Sequence, residues 1–571
     1  MLFLCLVGYY IFLPLYQAKH IIVDYGIFPF DIALEQPIIW KYCKYWFIFT
    51  YIFASFFIAN MFFHLLYNII CQPNKIKKPK KVKSNFKKEK TTYSFIEPKP
   101  PDKKLELLIG ENESTKELIY LPEKSLYQNI LVTGTIGTGK TSSAMYPFTK
   151  QLIAYCHQNY EKKLGMLILD VKGNYYQKVL EFAEKFHRKE DIIVIELGGK
   201  YHYNPLHKPN LKPSILANRL KTILLLFSKN NSESYWLDKV EQILAEAIKL
   251  CRLYNNNYVT FEELHKLVTQ PNYYLEKINI LRNQFVQNKF SETQIYELLS
   301  SLTFFEKEFL NLDNRTLSIL KSEITRITNC FISDYDILKT FNPKVEELNF
   351  PGFNEVTEKG KIVVLNMNIS EYTNLSKIIA AYLKLDFQSE VMSRLSKYPN
   401  NDFRSVCFIS DEYSEYCTET DANFFSQSRE AKCINIVSTQ SYTSLLNTLH
   451  EQSTVNVIIQ NLINKLWFRS DDLFTIENAQ KQIGKEDKEK ISRGISENAK
   501  ETVFSYFTNS LNSKNSSISE TISTYIHSDF IYDINFFTQS LENFTCLSFL
   551  SNGTKIIPPQ KIHLFPYFKN K

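Results

Sequence analysis

A short stretch of the chain, residues 134–141, combines glycines with a lysine and a hydroxyl side chain at a fixed spacing. Gly134, Gly139, Lys140 and Thr141 fit the phosphate-binding pattern G-x-x-x-x-G-K-[ST]. Glycines let successive backbone N–H groups curve around a phosphate with no Cβ in the way. The lysine reaches the β- and γ-phosphates, and the threonine hydroxyl is a ligand for Mg²⁺. The stretch therefore predicts a site for ATP and Mg²⁺.

The sequence on either side of this loop fits the same interpretation. Apolar residues from Asn129 predict a strand before the loop, and residues 141–156 predict a helix after it. The N-terminus of such a helix attracts negative charge. The alternative is a chance cluster of glycines in a surface loop. The residues predicted to contact the nucleotide are Gly134, Thr135, Ile136, Gly137, Thr138, Gly139, Lys140, Thr141 and Ser142.

An apolar run that ends in two carboxylates is the second candidate for chemistry. Residues 406–412 are Val-Cys-Phe-Ile-Ser-Asp-Glu, which has the form of a Walker B strand. Asp411 is predicted to hold Mg²⁺, directly or through water, and Glu412 to polarise the attacking water. Such a run is common in isolation, but its position after a phosphate-binding loop favours a catalytic role.

Two further polar side chains follow this run. Gln440 ends the next predicted strand, residues 434–438, where it is a candidate to sense the γ-phosphate or to position water. The alternative is an ordinary loop glutamine. Arg429 lies between the two strands and is a candidate arginine finger, donated to a neighbouring subunit. The alternative is a surface salt bridge.

The predicted strands and helices that must position these residues indicate an α/β fold. Asp170 ends one apolar run, and a polar residue there faces the crevice at the carboxyl edge of a parallel sheet. Between residues 211 and 341 the apolar spacing becomes helical, which predicts an all-α insertion. Further strands are predicted at 192–195, 361–367 and 464–468, and the apolar run that ends in Asp170 is typical of a buried parallel strand.

Composition limits the kinds of partner and site. The net charge of the 571 residues is +7, but Lys75–Lys90 contributes +8 and leaves −1 for the rest. A nucleic-acid contact outside that segment must therefore use a local patch. The ten cysteines and ten histidines show no spacing typical of a metal site or a disulfide framework. Reduced cytoplasmic thiols are expected.

Two uncharged stretches precede the lysine-rich segment. Tyr45–Ile70 exceeds the roughly 20 residues that a membrane helix needs, and Met1–Ala18 is shorter. The shorter stretch lacks the positive start and cleavage site of a signal peptide, which favours a membrane helix. The lysines after the second stretch place residues 72 onward in the cytoplasm and are expected to bind anionic lipid headgroups. A DNA-binding arm is the second interpretation of these lysines.

The order of these features resembles the coupling ATPases of conjugative type IV secretion systems, the TraG/TraD group. The chain departs from the group at Tyr413, because members of the group often have a phenylalanine at this position after the Asp-Glu pair. The matched features are the N-terminal membrane hairpin, the phosphate loop, a D-x-K-G segment at Asp170–Gly173, Tyr203–Leu206, the helical insertion, Asp411–Glu412, Ser428–Arg429, Thr439–Gln440 and the tail Pro558–Phe568.

The resemblance implies a RecA-like P-loop NTPase core with an inserted all-α domain and an N-terminal two-helix transmembrane anchor. It also implies a multi-pass protein of the inner membrane that assembles as a hexameric ring, with ATP between subunits, Arg429 as the finger and Gln440 as the sensor. The implied cargo is single-stranded DNA bound to a relaxase, or a secreted protein, passed to the channel proteins of the secretion system. The all-α domain would recognise this cargo.

The expected domains follow from these assignments, and two other functions stay open. A docking receptor for effectors, with a mainly structural nucleotide, fits the nearly neutral cytoplasmic part. A double-stranded DNA translocase of the FtsK/HerA type is disfavoured by the Asn-Pro-Leu turn and the large insertion. The expected limits are a transmembrane hairpin at 1–74, a basic linker at 75–103, a motor domain at 104–210 and 346–571, and an all-α domain at 211–345.

Overall fold

The structure of the protein is a computed structural model, and the chain divides into two compact units, Met1–Ser94 and Phe95–Lys571. The predicted membrane segment Met1–Ala18 and the whole of the predicted basic linker, residues 75–103, lie outside the described residues. The structure describes residues 37–70, 104–170, 172–226, 234–287, 290–367, 369–398, 402–498, 504–505, 510–511 and 517–568.

The described part of the first unit is one helix, α1, Pro37–Ile70. It begins earlier than the predicted span, because a proline is well suited to the first turn of a helix. Phe49, Phe53 and Phe57 follow one another at intervals of four residues, so their side chains lie on one face and their rings adjoin. In the parts of the chain that the structure describes, no helix combines the length and the hydropathy needed to cross a membrane.

The second unit is built on one large mixed sheet. In chain order the described strands are β1 Glu106–Asn112, β2 Leu118–Pro122, β3 Ile130–Thr133, β4 Gly165–Leu169, β5 Ile192–Ile195, β6 Ile362–Leu365, β7 Val406–Ser410, β8 Cys433–Thr439, β9 Asn464–Trp467, β10 Lys485–Asn498, β11 Phe504–Ser505, β12 Ser510–Leu511, β13 Ser517–Phe530, β14 Thr545–Ser551 and β15 Ile556–His563.

Eleven of these strands form the main sheet in the order β2-β1-β15-β14-β9-β3-β8-β7-β4-β6-β5. The seven strands from β9 to β5 are parallel, and the four from β14 to β2 pair antiparallel. We call these two parts the parallel half and the antiparallel half. The α/β fold class is confirmed, and the strands β3, β4, β5, β6, β7, β8 and β9 lie where the apolar runs predict them.

Helices cover both faces of the sheet. In chain order they are α2 Glu123–Leu126, α3 Tyr146–Ala154, α4 Tyr175–Lys185, α5 Pro213–Leu225, α6 Ser234–Tyr254, α7 Phe261–Thr269, α8 Pro271–Val286, α9 Glu292–Thr303, α10 Asn314–Asn329, α11 Tyr335–Phe341, α12 Asn354–Lys359, α13 Ile369–Lys397, α14 Asp421–Gln427, α15 Tyr442–Leu449, α16 Gln452–Asn461 and α17 Leu473–Ile483. The structure also contains short π-helical turns at Lys140–Met145, Phe304–Phe309 and Phe536–Ser540. It contains 3₁₀ turns at Lys189–Asp191, Val345–Glu347 and Tyr413–Glu415.

The helices α5 to α11 lie between β5 and β6, where the sequence predicts an insertion. Alternate residues of the buried strands face two separate cores. Leu167 and Leu169 of β4 share one core with the helices of this segment, and Met166 and Ile168 share the other with α3 and α4. The segment therefore packs into a core that it shares with the sheet, and the limits 211–345 of a separate domain stay a prediction.

The predicted turn Tyr203–Leu206 joins this helical segment to α13 through a buried charge. The Asp386 carboxylate of α13 accepts hydrogen bonds from the Tyr203 hydroxyl at 2.6 Å and from Arg219 at 2.7 Å, and it lies 2.7 Å from the Lys208 Nζ. Burial alone would raise the pKa of Asp386, but the charges of Lys208 and Arg219 outweigh burial and lower it. The contacts give this turn a structural role.

Candidate nucleotide-binding site

The glycine-rich loop follows β3 at the carboxyl edge of the parallel half. Lys140 is 6% exposed, and its Nζ donates to the carbonyls of Gly134 at 2.5 Å and Thr135 at 3.3 Å. Burial lowers the pKa of Lys140, although the nearby carboxylates of Glu412 and Asp411 act to raise it. The ammonium group is thus held inside the curve of the loop, where a phosphate would bind.

Two glycines of the loop are required by close packing as well as by backbone conformation. A Cβ at Gly134 would lie 2.5 Å from the Cβ of Phe468, directly after β9. A Cβ at Gly139 would lie 2.4 Å from the ring of Phe544, directly before β14. Gly139 also has a φ of +96°, which side chains rarely allow. The loop is therefore held against the strands on its antiparallel side.

Among the remaining predicted loop residues, Thr135, Thr138 and Ser142 are held by hydrogen bonds to backbone carbonyls. The backbone N–H and hydroxyl of Thr135 both donate to the Arg469 carbonyl, at 2.9 and 3.2 Å. The Thr138 hydroxyl donates to the Thr135 carbonyl, and the Ser142 hydroxyl to the Gly139 carbonyl. Ile136 is 78% exposed, and Gly137 has a φ of +80°.

The predicted Mg²⁺ ligands meet across the sheet. The Thr141 hydroxyl donates to the Asp411 carboxylate at 2.8 Å, although the two residues are 270 positions apart in the chain. Asp411 directly follows β7, and β8 lies between β7 and β3. A hydroxyl and a carboxylate oxygen are the hard donors that suit Mg²⁺ beside phosphate. The donor set therefore fits the predicted ion.

Glu412 has a conformation that is unusual for its residue type. Its φ is +50° and it is 9% exposed. Burial raises the pKa of Glu412, and the neighbouring Asp411 raises it further, while Lys140, Lys172 and a side-chain hydrogen bond with Gln440 lower it. A left-handed backbone conformation is uncommon in residues other than glycine, and residues that adopt it cluster at functional sites. The structure thus brings Glu412 and Gln440 together beside the phosphate loop.

Buried polar contacts fix the chain that follows Glu412. Asp421 accepts hydrogen bonds from the Lys384 Nζ at 2.5 Å, the Gln388 side chain at 2.8 Å and the Tyr413 hydroxyl at 2.5 Å. The side chains of Lys384 and Asp421 are fully buried. Because Tyr413 adjoins Glu412, this cluster ties the conformation of Glu412 to α13. Tyr413 supplies a hydroxyl that a phenylalanine would lack.

Two polar residues after β4 reach the same cleft. Asp170 accepts hydrogen bonds from the backbone N–H groups of Lys172, Asn174 and Tyr175 at the start of α4. Burial raises the pKa of Asp170, and the charge of Asp411 adds to this effect. The Lys172 Nζ lies 4.0 Å from a carboxylate oxygen of Glu412. Lys172 is a functional candidate that only its place in the D-x-K-G segment could have indicated from the sequence.

Arg429 lies away from this cleft. It precedes β8, whereas Gln440 follows it, so the two residues stand at opposite edges of the sheet. Seven residues of β8 at roughly 3.3 Å each separate these edges by about 20 Å. Arg429 is exposed, and among the described residues it makes no side-chain hydrogen bond or ion pair. Its predicted role in a neighbouring subunit stays a prediction.

Comparison with solved structures supports the fold. No protein-family model matches the sequence, and no curated protein is similar to it. The bacterial conjugative coupling protein TrwBdeltaN70, in an unbound monoclinic form, matches with a TM-score of 0.51 at 12% identity, over 83% of this chain and 96% of that one. The plasmid coupling protein TrwB in complex with the GTP analogue GDPNP matches with a TM-score of 0.52 at 12% identity, over 82% and 97%. The chain therefore has a TrwB-like α/β fold.

Proposed function

We propose that the protein is an ATP hydrolase that acts as a coupling protein of a type IV secretion or conjugation system. The observation that carries the proposal is the contact between Thr141 and Asp411, with Glu412 and Gln440 in the same cleft. A phosphate-binding loop alone supports nucleotide binding. The pair of carboxylates at its edge, Asp411 and Glu412, supports hydrolysis.

The roles of the residues follow from their positions. Lys140 binds the β- and γ-phosphates, and the backbone N–H groups of the loop surround them. Thr141 and Asp411 would hold Mg²⁺, which would supply positive charge against the phosphates. Glu412 orients a water molecule for in-line attack and accepts its proton, which the raised pKa of this carboxyl group favours. Gln440 holds the Glu412 carboxylate in place.

A neighbouring subunit supplies the last group in this proposal. Arg429 is too far along β8 to reach the phosphate loop of its own chain, and it is exposed and unpaired within the described residues. In a ring of subunits such an arginine is free to enter the next site and stabilise the charge of the transition state. We propose a hexameric ring, as the family resemblance implies.

The proposed cargo is single-stranded DNA with its relaxase, or a secreted protein. The TrwB-like fold supports this cargo, because the solved structures with a similar fold are those of conjugative and plasmid coupling proteins. The helical segment α5 to α11 is the proposed cargo-recognition region, and the secretion channel the proposed recipient. The test is ATP hydrolysis by the purified full chain with and without single-stranded DNA. Stimulation supports a DNA pump, whereas turnover unaffected by DNA contradicts it and favours an effector receptor.

The proposed location is the inner membrane, with the second unit in the cytoplasm. The support is the uncharged stretch Tyr45–Ile70 followed by the lysines of Lys75–Lys90. Exposed phenylalanines on α1, such as Phe56 and Phe62, suit an apolar environment. Extraction of membranes with alkaline carbonate tests the location, because an integral protein stays in the pellet. Release of the chain into the supernatant would contradict the proposed anchor.

A further inference from the structure

The ends of β14 and β15 are joined to the phosphate loop by backbone hydrogen bonds. The N–H of Phe544 donates to the Thr138 carbonyl at 3.0 Å, and the N–H of Tyr567 to the Ser142 carbonyl at 2.9 Å. The N–H of Leu564 donates to the Phe544 carbonyl at 2.8 Å and links the two segments to each other. A piece of chain more than 400 residues away in sequence thus borders the loop and the start of its helix.

Phe544 is held in a strained conformation against the loop. Its φ is +65°, which costs an aromatic residue about 1–2 kcal/mol. Its ring lies so near the backbone of Gly139 that no side chain fits between them. Strain of this kind is kept where the surrounding structure enforces it, and it clusters at ligand clamps.

A second aromatic ring extends this surface outward. The ring of Phe568 lies 6.1 Å from that of Phe544 at an interplanar angle of 75°. Phe568 is 39% exposed. Tyr567 packs between Phe568 and the helix α3, because its ring centroid lies 5.2 Å from that of Phe568 and 5.1 Å from that of Tyr146. An exposed aromatic residue that packs against Phe544 and Tyr567 is therefore placed beside the phosphate loop.

The orientation of a nucleotide in the loop follows from the strand order. Glu412 and Gln440 follow β7 and β8, on one side of β3, so the γ-phosphate lies on that side. A nucleotide bound in this way would extend its α-phosphate and nucleoside to the other side of β3, toward β9, β14 and β15. The rings of Phe544 and Phe568 are on this second side.

We infer that Phe544 and Phe568 form the binding surface for the nucleobase, with Phe568 as the exposed stacking partner. The inference rests on the proposed nucleotide site and adds the recognition of the base. Aromatic stacking tolerates any base, because every base presents a π-face. The surface therefore binds the adenine of ADP and the guanine of GDP to a similar extent.

The test compares ligands with and without a base, using the full chain and isothermal titration calorimetry in the presence of Mg²⁺. Phe568→Ala is expected to weaken ADP and GDP binding about tenfold each and to leave inorganic tripolyphosphate binding unchanged. Phe568→Trp is expected to restore ADP binding. Phe285→Ala is the matched control, since Phe285 of α8 is 42% exposed and far along the chain from the loop.

Each other outcome has a distinct meaning. Wild-type affinity for ADP in Phe568→Ala overturns the inference, and so does an equal loss of ADP and tripolyphosphate, which indicates a general disturbance of the loop. A loss confined to ADP or to GDP overturns the stacking account. Failure of the wild-type chain to bind any of the three ligands overturns the proposed nucleotide site itself.

Discussion

The parallel and antiparallel halves of the main sheet contribute differently to the site. The parallel half supplies the polar residues, each of which follows a buried strand: Lys140 after β3, Asp411 and Glu412 after β7, and Gln440 after β8. The antiparallel half supplies Phe544 and Tyr567, which contact the loop through their backbones. One half thus carries the proposed chemistry, and the other holds the loop in position from outside.

This difference separates what the sequence can and cannot predict. A parallel strand buried on both faces is a continuous apolar run, and its polar end is visible in the sequence. For this reason the elements from β3 to β9 and the meeting of Thr141 with Asp411 were predictable. The position of Gln440 beside Glu412 was predictable for the same reason, although its role stays a prediction.

In the antiparallel half, the sequence predicts short strands at 105–109 and 117–121, which correspond to β1 and β2, but it does not predict β14 or β15. β15 contains Pro558 and Pro559, which argue against a strand because proline cannot donate to a ladder. The structure places both prolines at a register shift between β14 and β15, since Ser548 pairs with Gln560 and Leu550 with Ile557. The contact of Phe544 with the loop depends on this distant pairing, so no local pattern indicates it.

The strongest test of the comparison removes the proposed water-orienting group from the parallel half. Glu412→Gln keeps the shape of the side chain but cannot accept a proton, so we expect ATP hydrolysis to fall about 10²- to 10⁴-fold. ADP binding should persist, because the loop and Asp411 are intact. Steady-state hydrolysis and calorimetry measure the two effects. Unchanged turnover would exclude Glu412 from the reaction.

The buried pair behind Glu412 should have the next largest effect. Lys384→Met leaves the buried Asp421 carboxylate without its cation, and we expect a loss of about 3–5 kcal/mol in unfolding free energy. Chemical denaturation measures this loss. Lys481→Met, which removes one partner of an exposed pair on α17, is the control and should leave stability unchanged. Equal stability of the two variants would show that the pair is unimportant.

A smaller loss is expected where the two halves of the sheet meet. The Asn464 amide at the start of β9 donates to the carbonyls of Ser125 and Asn129 and accepts from the Ser125 hydroxyl and the Ser551 N–H. Asn464→Ala removes all four bonds and should cost about 2–4 kcal/mol by denaturation. Asn478→Ala removes one bond on α17 and is the matched control. A loss no greater than in the control would contradict this role.

The smallest expected effect is a shift in pH dependence. Hydrolysis should fall as the pH drops through the raised pKa of Glu412, because the protonated carboxyl group cannot accept a proton. Lys172 lowers this pKa, so Lys172→Ala should move the acid limb of the rate profile to higher pH, by less than about one unit. Lys189→Ala, which removes an exposed ion pair with Glu184 of α4, is the control. A shift to lower pH would contradict the assigned contact.

The most direct test of the account is the dependence of ATP hydrolysis on Mg²⁺ in the wild-type full chain and in Asp411→Asn. The contact between Thr141 and Asp411 predicts turnover in the wild type that stops when EDTA removes the ion. The variant should bind ADP but hydrolyse ATP at least about 100-fold more slowly, because its ion is poorly held. Wild-type turnover in Asp411→Asn, or turnover that persists in EDTA, would contradict the account.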